Sequence, residues 1–131
     1  MAPTDWTYGT NAWRQANADS TNQVEVVIAE AGQFIQVRGH IAAGLSSGKA
    51  LSASIGIDAT SPSSIDIART GGYTNGSDMN HHADPVVDDA PAAGYHFYAL
   101  LELSELGTSY TAFGDGGGTS HQSGLSGWIM A

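Results

Sequence analysis

The chain has 131 residues, a usual length for a single domain, and it contains no cysteine. Four basic residues stand against thirteen acidic ones, which gives a formal net charge of −9. This balance excludes a phosphate-neutralising surface for nucleic acid or anionic membranes, and the lack of thiols excludes disulfides and cysteine-ligated metal sites.

Apolar and polar residues alternate with a period of two along much of the chain, a pattern typical of β-strands. Residues 5–8 predict a short first strand, and residues 11–20 predict a loop. Residues 23–29 and 34–41 predict two strands, and the short turn between them at Gly32 leads us to expect a hairpin. One face of the second strand carries Phe34, Gln36, Arg38 and His40.

The middle of the chain contains both the clearest strand and the longest irregular segment. Residues 51–59 alternate apolar side chains with Ser52, Ser54, Gly56 and Asp58, which predicts a half-buried strand. Residues 65–67 predict a short further strand. Residues 70–94 hold two of the four prolines and an Asn-Gly turn signal, so we expect a long irregular loop there.

Three more strands are predicted at residues 95–103, 109–113 and 125–130, which gives about seven or eight strands and almost no helix. Regular strand spacing of this kind predicts an all-β, antiparallel β-sandwich or barrel. Residues 1–131 are predicted to form one domain, with residues 1–22 as a candidate N-terminal attachment segment. The start of the chain lacks the features of a secretory signal, and no apolar run reaches the length of a membrane span.

The strand at residues 95–103 is apolar on both faces. One face carries Tyr95, Phe97, Ala99, Leu101 and Leu103, and the other carries His96, Tyr98, Leu100 and Glu102. A strand of this kind needs a cover on each side, either a second sheet and a loop or a neighbouring subunit.

Two patterns raise the question of hydrolytic chemistry. Gly44-x-Ser46-x-Gly48 matches the spacing of a nucleophile elbow, but that motif needs a following helix and here a strand is predicted. Glu102, Glu105 and Asp115 are candidates for paired carboxylates of a glycoside hydrolase, although acids at strand ends are usually solvated. A small hydrolase using Asp and Glu is therefore a rival hypothesis, and the chain is predicted not to be an enzyme.

Two further patterns raise the question of ligand binding. His81, His82 and Asp84, with Asp78 and Asp88 nearby, are suitable metal ligands, but their spacing matches no known motif and predicts a solvated loop. The glycine-rich residues 114–118 lack the lysine and helix of a phosphate-binding loop. The sequence predicts no metal and no cofactor.

Three blocks of sequence, taken in order, resemble a known family. They are residues 51–60, residues 94–102, and residues 110–114 with residues 122–129, where the last block ends Gly-Leu-Ser-Gly-Trp-Ile. They resemble small jelly-roll-like β-sandwich domains, of tumour-necrosis-factor-like or C1q-like outline, in structural proteins of tailed bacteriophages. The resemblance spans residues 24–131 and implies a jelly-roll-like fold and a homotrimer. It carries over no catalytic residue.

The resemblance implies a non-enzymatic virion structural protein, made in the host cytoplasm and placed on the capsid surface, where it stabilises or coats the head. Fibre tips usually follow a shaft. If the 131 residues are the complete gene product, there is no room for a shaft, and capsid decoration is favoured over a fibre-tip or glycan-binding module that recognises a host surface; if the chain is an excised domain, the fibre tip is favoured again. The expected partners are further copies of the chain and the major capsid protein or another virion protein, with a host glycan as a candidate. The predicted interface consists of large aromatic side chains: Trp6, Trp13, Tyr95, Phe97, Tyr98 and Trp128.

Overall fold

The computed structural model describes residues 4–46, 48–62, 67–72, 79–114 and 122–130. These residues form eleven β-strands and one short 3-10 helix at Ala16–Ala18. The strands are β1 Trp6–Tyr8, β2 Arg14–Gln15, β3 Gln23–Ile28, β4 Phe34–Leu45, β5 Lys49–Ile57, β6 Ile67–Gly72, β7 Met79–Ala83, β8 Val86–Asp89, β9 Gly94–Ser104, β10 Tyr110–Ala112 and β11 Gly124–Met130. Within the described ranges, no helix is long and apolar enough to cross a membrane.

The strands form two antiparallel sheets that enclose the apolar core between them. Sheet 1 has the order β1-β10-β4-β11, and β7 and β8 also pair with β4. Sheet 2 has the order β2-β9-β5-β6, and β3 also pairs with β9. The predicted all-β, antiparallel β-sandwich is confirmed, but the predicted count of seven or eight strands is too low.

The strand count was underestimated because β2, β7 and β8 were not predicted as strands; each of them belongs to a row of the sheets that is interrupted. On β4, Arg38 pairs with Val86 of β8 and Ile41 pairs with Ala83 of β7, so β7 and β8 keep one register across Pro85. In the same way, β10 and β11 follow one edge of β4, and β2 and β3 follow one edge of β9. From the sequence, an interrupted row is predicted as one strand or as a loop, depending on where the alternation of apolar residues stops.

When each interrupted row is counted once, the sheets contain eight rows. Their chain order is 1-8-3-6 in sheet 1 and 2-7-4-5 in sheet 2, which is the order of a jelly roll. The predicted hairpin of residues 23–29 and 34–41 is therefore wrong, since β3 belongs to sheet 2 and β4 to sheet 1. The turn with Gly32, whose φ is 96°, carries the chain from one sheet to the other.

The prediction of an irregular segment at residues 70–94 is also wrong for its described part, which contains β7 and β8. The inward-facing residues of this row include His81, Ala83 and Pro85, and only Val87 is a large aliphatic residue. The apolar period of two is therefore too weak to be seen. Residues 73–78 lie outside the described ranges, as do residues 65 and 66 of the short strand predicted before β6.

The N-terminal residues belong to the sandwich. β1 is an edge strand of sheet 1, and the side chain of Trp6 is only 7% exposed. β2 and the 3-10 helix lie in the stretch predicted as a loop, and β2 pairs with β9. Residues 4–22 are thus part of the domain rather than a free attachment segment.

From Tyr98 to Leu103 the two faces of β9 are both covered by the chain itself, whereas Tyr95 at the start of the strand is 57% exposed. Tyr98 and Leu100 face the core between the sheets, whereas Ala99, Leu101 and Leu103 face outward and are nevertheless buried. The loop after β5 supplies part of this outer cover, because a Cβ on Gly56 would lie 2.2 Å from the carbonyl oxygen of Ala59. A neighbouring subunit is therefore not needed to cover this face.

The strand at residues 51–59 is also more buried than predicted. Ser52 and Ser54 point to the outer face of sheet 2 and are both fully buried. Ser52 donates a hydrogen bond to Glu105, so that its hydroxyl is satisfied under the cover. The serines led us to expect a solvent-exposed face, whereas they are small polar residues beneath a loop.

We expect Gly56→Ala to destabilise the protein by about 1–3 kcal/mol, the usual cost of overpacking. The added Cβ would meet backbone atoms of the covering loop, which would have to shift. Gly44→Ala is the matched control, because its Cβ would meet its nearest neighbour, Phe113, at an ordinary 3.5 Å. Urea unfolding of both variants measures the difference, and equal stability would show that the loop does not press on β5.

Candidate functional site

The centre of the sandwich contains a buried carboxylate, Glu102 of β9, which is 0% exposed. Its Oε2 accepts hydrogen bonds from Trp6 Nε1 at 2.8 Å and from the Tyr110 hydroxyl at 2.5 Å. Its Oε1 accepts from Arg14 Nε at 2.8 Å and from the Asn17 N–H at 2.9 Å, and Arg14 Nη2 lies 2.8 Å away. Five donors from four elements therefore surround one carboxylate.

This network is a structural tie. It joins Trp6 and Tyr110 of sheet 1 to Arg14 and Glu102 of sheet 2, and burial followed by the charge of Glu102 raises the pKa of Tyr110. A carboxylate with no exposed surface and with both oxygens occupied cannot reach a substrate. Glu102 therefore does not serve as one of a pair of hydrolytic carboxylates.

Glu105 and Ser46, which are also candidates for hydrolysis, have structural surroundings. Glu105 is bonded to Ser52 and lies 3.4 Å from Arg69 Nη2, and Asp115 is outside the described residues. Ser46 stands between β4 and β5, so a strand follows it where an elbow needs a helix.

The histidine-rich segment is divided between two surroundings. The ring of His81 faces inward, with its Nδ1 3.3 Å from the Thr70 hydroxyl, while His82 lies on the outer face of sheet 1. Asp88 accepts a hydrogen bond from Gln36, and Asp78 is not described. In the described part of the chain, no group of three or more His, Asp or Glu side chains could hold a metal ion. Residues 115–118 of the glycine-rich turn also lie outside that part.

A groove of about 530 Å³ crosses the outer face of sheet 1. It runs over β4, between the start of β11 on one side and the junction of β7 and β8 on the other. Its polar lining consists of Arg38, His40, Asp84, Gln122, Ser123 and Ser126. The volume is within the usual range for small-molecule sites.

One wall of the groove is formed by His40 and Asp84, and His82 stacks on His40. His40 Nδ1 is hydrogen-bonded to the Asp84 carboxylate. The rings of His40 and His82 are stacked with centroids 4.9 Å apart, and His82 Nδ1 lies 3.3 Å from His40 Nε2. These contacts fix the orientation of the imidazole that faces the groove.

Arg38 lines the groove two residues before His40 on β4, and Trp128 lies beside Arg38, next to the groove. The Arg38 guanidinium carbon lies 5.7 Å from the centroid of the Trp128 ring, which is 51% exposed. Arg38 Nε donates to Gln36 Oε1 at 3.2 Å, and Gln36 Nε2 in turn donates to Asp88 at 2.8 Å. The side chain of Gln36 therefore lies between the Arg38 guanidinium and the Asp88 carboxylate.

A second histidine–aspartate pair closes the edge of the core at the start of β9. His96 Nδ1 donates to Asp58 at 2.7 Å, and its Nε2 donates to the Ala92 carbonyl at 2.9 Å. The bond to Asp58 and then the bond to Ala92 raise the pKa of His96 above 6.5. Burial favours a higher pKa for Asp58, but hydrogen bonds from His96 and the Phe97 N–H outweigh it and lower the pKa below 3.8.

We expect the stabilisation from this pair to be complete between the ordinary pKa values of the two groups. It is lost as the pH rises through the raised pKa of His96, and also as the pH falls through the lowered pKa of Asp58. The melting temperature should therefore drop as the pH rises above 6.5, the ordinary pKa of histidine, and this drop should be smaller in His96→Gln. Parallel pH profiles for the wild type and the variant would contradict this assignment.

The six aromatic residues predicted for an interface have three different environments. Trp6 and Tyr98 are buried in the subunit's own core, so they offer no surface to a partner. Trp13 and Phe97 are partly buried. Tyr95 and Trp128 are exposed by 57% and 51%. Period-two alternation gives the face of a side chain but not the depth of the cover above it.

The exposed apolar side chains concentrate at one end of the sandwich. Phe34 and Met130 are paired neighbours at the ends of β4 and β11, and Val27 and Tyr95 are paired neighbours on β3 and β9. Val27 and Tyr95 lie on the outer face of sheet 2 and Phe34 and Met130 on the outer face of sheet 1, and the turn of residues 29–33 joins the two pairs at this end. We call this surface the terminal patch; its members are Val27, Phe34, Tyr95, Trp128, Ile129 and Met130.

Sequence reasoning missed how the groove is assembled. The outward face of β4 with Arg38 and His40 was predicted, but Asp84 was assigned to a loop and Trp128 to an interface. The available signal was the alternation of Asp84, Val86 and Asp88 around the buried Pro85 and Val87, which marks an outward strand face.

A scan of protein-family models gives no match to this chain, and a search of curated proteins gives none either.

Proposed function

We propose that this chain is a non-enzymatic structural protein of a tailed-phage virion, a capsid-surface decoration protein that assembles as a homotrimer. The observation that carries the proposal is the terminal patch, which exposes six large apolar side chains at one end of a protein with a net charge of −9. A group of exposed large apolar side chains at one end of a soluble domain is a candidate interaction site. The resemblance and the jelly-roll strand order both support the virion assignment.

The edge of sheet 1 adds a second kind of attachment at the same place. Among the described residues β11 pairs only with β4, so its other edge faces outward beside Trp128 and Ile129. An open strand edge offers main-chain donors and acceptors to a neighbouring chain. A partner at the terminal patch therefore gains hydrogen bonds as well as apolar contact.

The size of the patch favours a closed ring over isolated pairs. Its side chains are on average about half exposed, so full burial contributes about 1 kcal/mol each, or about 6 kcal/mol per interface. Bringing two proteins together costs about 4–15 kcal/mol. One interface is thus marginal, whereas a ring of three gains its third interface without a further loss of translational freedom.

The virion assignment is tested by stoichiometry. Intact particles purified by density gradient from infected cells should contain this chain at a fixed ratio to the major capsid protein, in multiples of three. Loss of the chain on gradient purification, or its presence only in the soluble fraction, would contradict the proposal.

A second candidate function is a fibre-tip or glycan-binding module that recognises a host surface. The groove on the outer face of sheet 1 favours it, together with the exposed ring of Trp128 beside the lining residue Arg38. Aromatic rings beside polar groups provide the mixed surface that sugars need.

A further inference from the structure

We propose that the groove on the outer face of sheet 1 binds a sugar that carries a carboxylate, through Arg38, the His40–Asp84 pair and Trp128. This inference rests on the second candidate function and deepens it by naming the chemical class of the ligand.

Arg38 supplies the site for the carboxylate. The other two arginines already have carboxylate partners, since Arg14 is bonded to Glu102 and Arg69 lies beside Glu105. Within the described residues Arg38 has no ion pair, and its Nε is held by Gln36, which leaves the terminal N–H groups at the groove. A guanidinium presented in this way matches a carboxylate with two parallel hydrogen bonds.

The His40–Asp84 pair supplies contacts for hydroxyl groups. Asp84 is 60% exposed on the groove side, and its carboxylate can accept hydrogen bonds from sugar hydroxyls. Its bond to His40, and the stacking of His40 on His82, hold both side chains in place. A pre-arranged polar wall lowers the entropy lost on binding.

Trp128 supplies an apolar platform. Ser126 and Trp128 pair with Arg38 and Gln36 respectively, so the indole lies one step along the sheet from the guanidinium. The apolar face of a sugar ring can pack on the half-exposed indole while its carboxylate reaches Arg38.

The surrounding charge selects a single carboxylate over a polyanion. Asp84 and Asp88 flank the groove, and the chain carries a net charge of −9, so a nucleic acid or polyphosphate would be repelled. One carboxylate on an otherwise uncharged sugar needs only Arg38.

The test is calorimetric titration of the wild-type protein with two matched pairs of saccharides. Sialyllactose against lactose probes a sialic acid, and a galacturonic acid trimer against a galactose trimer probes a uronic acid. We expect one acidic saccharide to bind at least about tenfold more tightly than its neutral counterpart, because charge-assisted hydrogen bonds contribute more than neutral ones. The pair that shows this difference identifies which sugar acid is recognised.

Variants assign the effect to the groove. Arg38→Gln should abolish the preference for the acidic saccharide, while Arg69→Gln, which changes an arginine on sheet 2, should retain it. Circular dichroism checks that both variants are folded. Equal binding of acidic and neutral sugars would overturn the inference while the glycan-binding function stands, and no binding of any of the four saccharides would overturn both.

Discussion

Replacing Glu102 with glutamine is expected to destabilise the protein by about 3–5 kcal/mol, the usual cost of breaking a buried ion pair from one side. The amide would place its NH₂ group against one set of the donors that now surround the carboxylate, and the charge of Arg14 would lose its partner. Two of the donors come from β1 and β10, and the others from β2 and the 3-10 helix. The change should therefore destabilise sheet 1 and sheet 2 together, in the region where the N-terminal strands β1 and β2 join them.

The measurement is the free energy of unfolding in urea, followed by tryptophan fluorescence because Trp6 is itself a donor to Glu102. Glu105→Gln is the matched control, since Glu105 directly follows the end of β9 and its partner Arg69 is 61% exposed. An exposed ion pair of this kind contributes less than about 1 kcal/mol. Similar losses in the two variants would mean that the Glu102 network is not the tie between the sheets.

The double variant Val27→Asp with Ile129→Asp is expected to abolish self-association without unfolding the subunit. Val27 is 74% exposed and Ile129 is 48% exposed, so neither change buries a charge in the core. In an assembly through the terminal patch, however, both aspartates would be desolvated next to like charges. Size-exclusion chromatography with light scattering should give the mass of one subunit.

Leu106→Asp is the control for this prediction. Leu106 is 58% exposed, and it follows β9 at the end opposite the terminal patch. The Leu106→Asp variant should therefore assemble like the wild type. Added salt should strengthen association of the wild type, because it screens the repulsion between subunits of charge −9. Dissociation of the Leu106 variant, or persistence of the double variant as an oligomer, would place the interface elsewhere.

The sequence allowed the strands to be predicted wherever large aliphatic side chains alternate, as in β5 and β9. It could not show their partners, because period-two alternation in β3 and β4 is the same whether the turn at Gly32 closes a hairpin or crosses between sheets. The row of β7 and β8 escaped detection since Ala83 and Pro85 fill inward positions where Val or Ile would have marked a strand.

The groove and the buried network could not be predicted from local sequence patterns, for a different reason. Trp6 and Glu102 are 96 residues apart, and His40 and Asp84 are 44 residues apart, so only the folded chain brings them together. Glu102 did carry a hint, since a carboxylate between Leu101 and Leu103 in an apolar strand is either at a solvated strand end or paired in the core. That Arg38 and His40 share one face of the strand was predicted correctly because it depends only on the pleat of one strand.

The most direct test of assembly through the terminal patch is sedimentation equilibrium of the unmodified protein over a range of concentrations. We expect a homotrimer of about 40 kDa, three times the 13.5 kDa subunit, that forms as a closed ring with little dimer at intermediate concentration. A single species of 13.5 kDa at tens of micromolar protein would contradict it, because the terminal patch would then face solvent with nothing to bind.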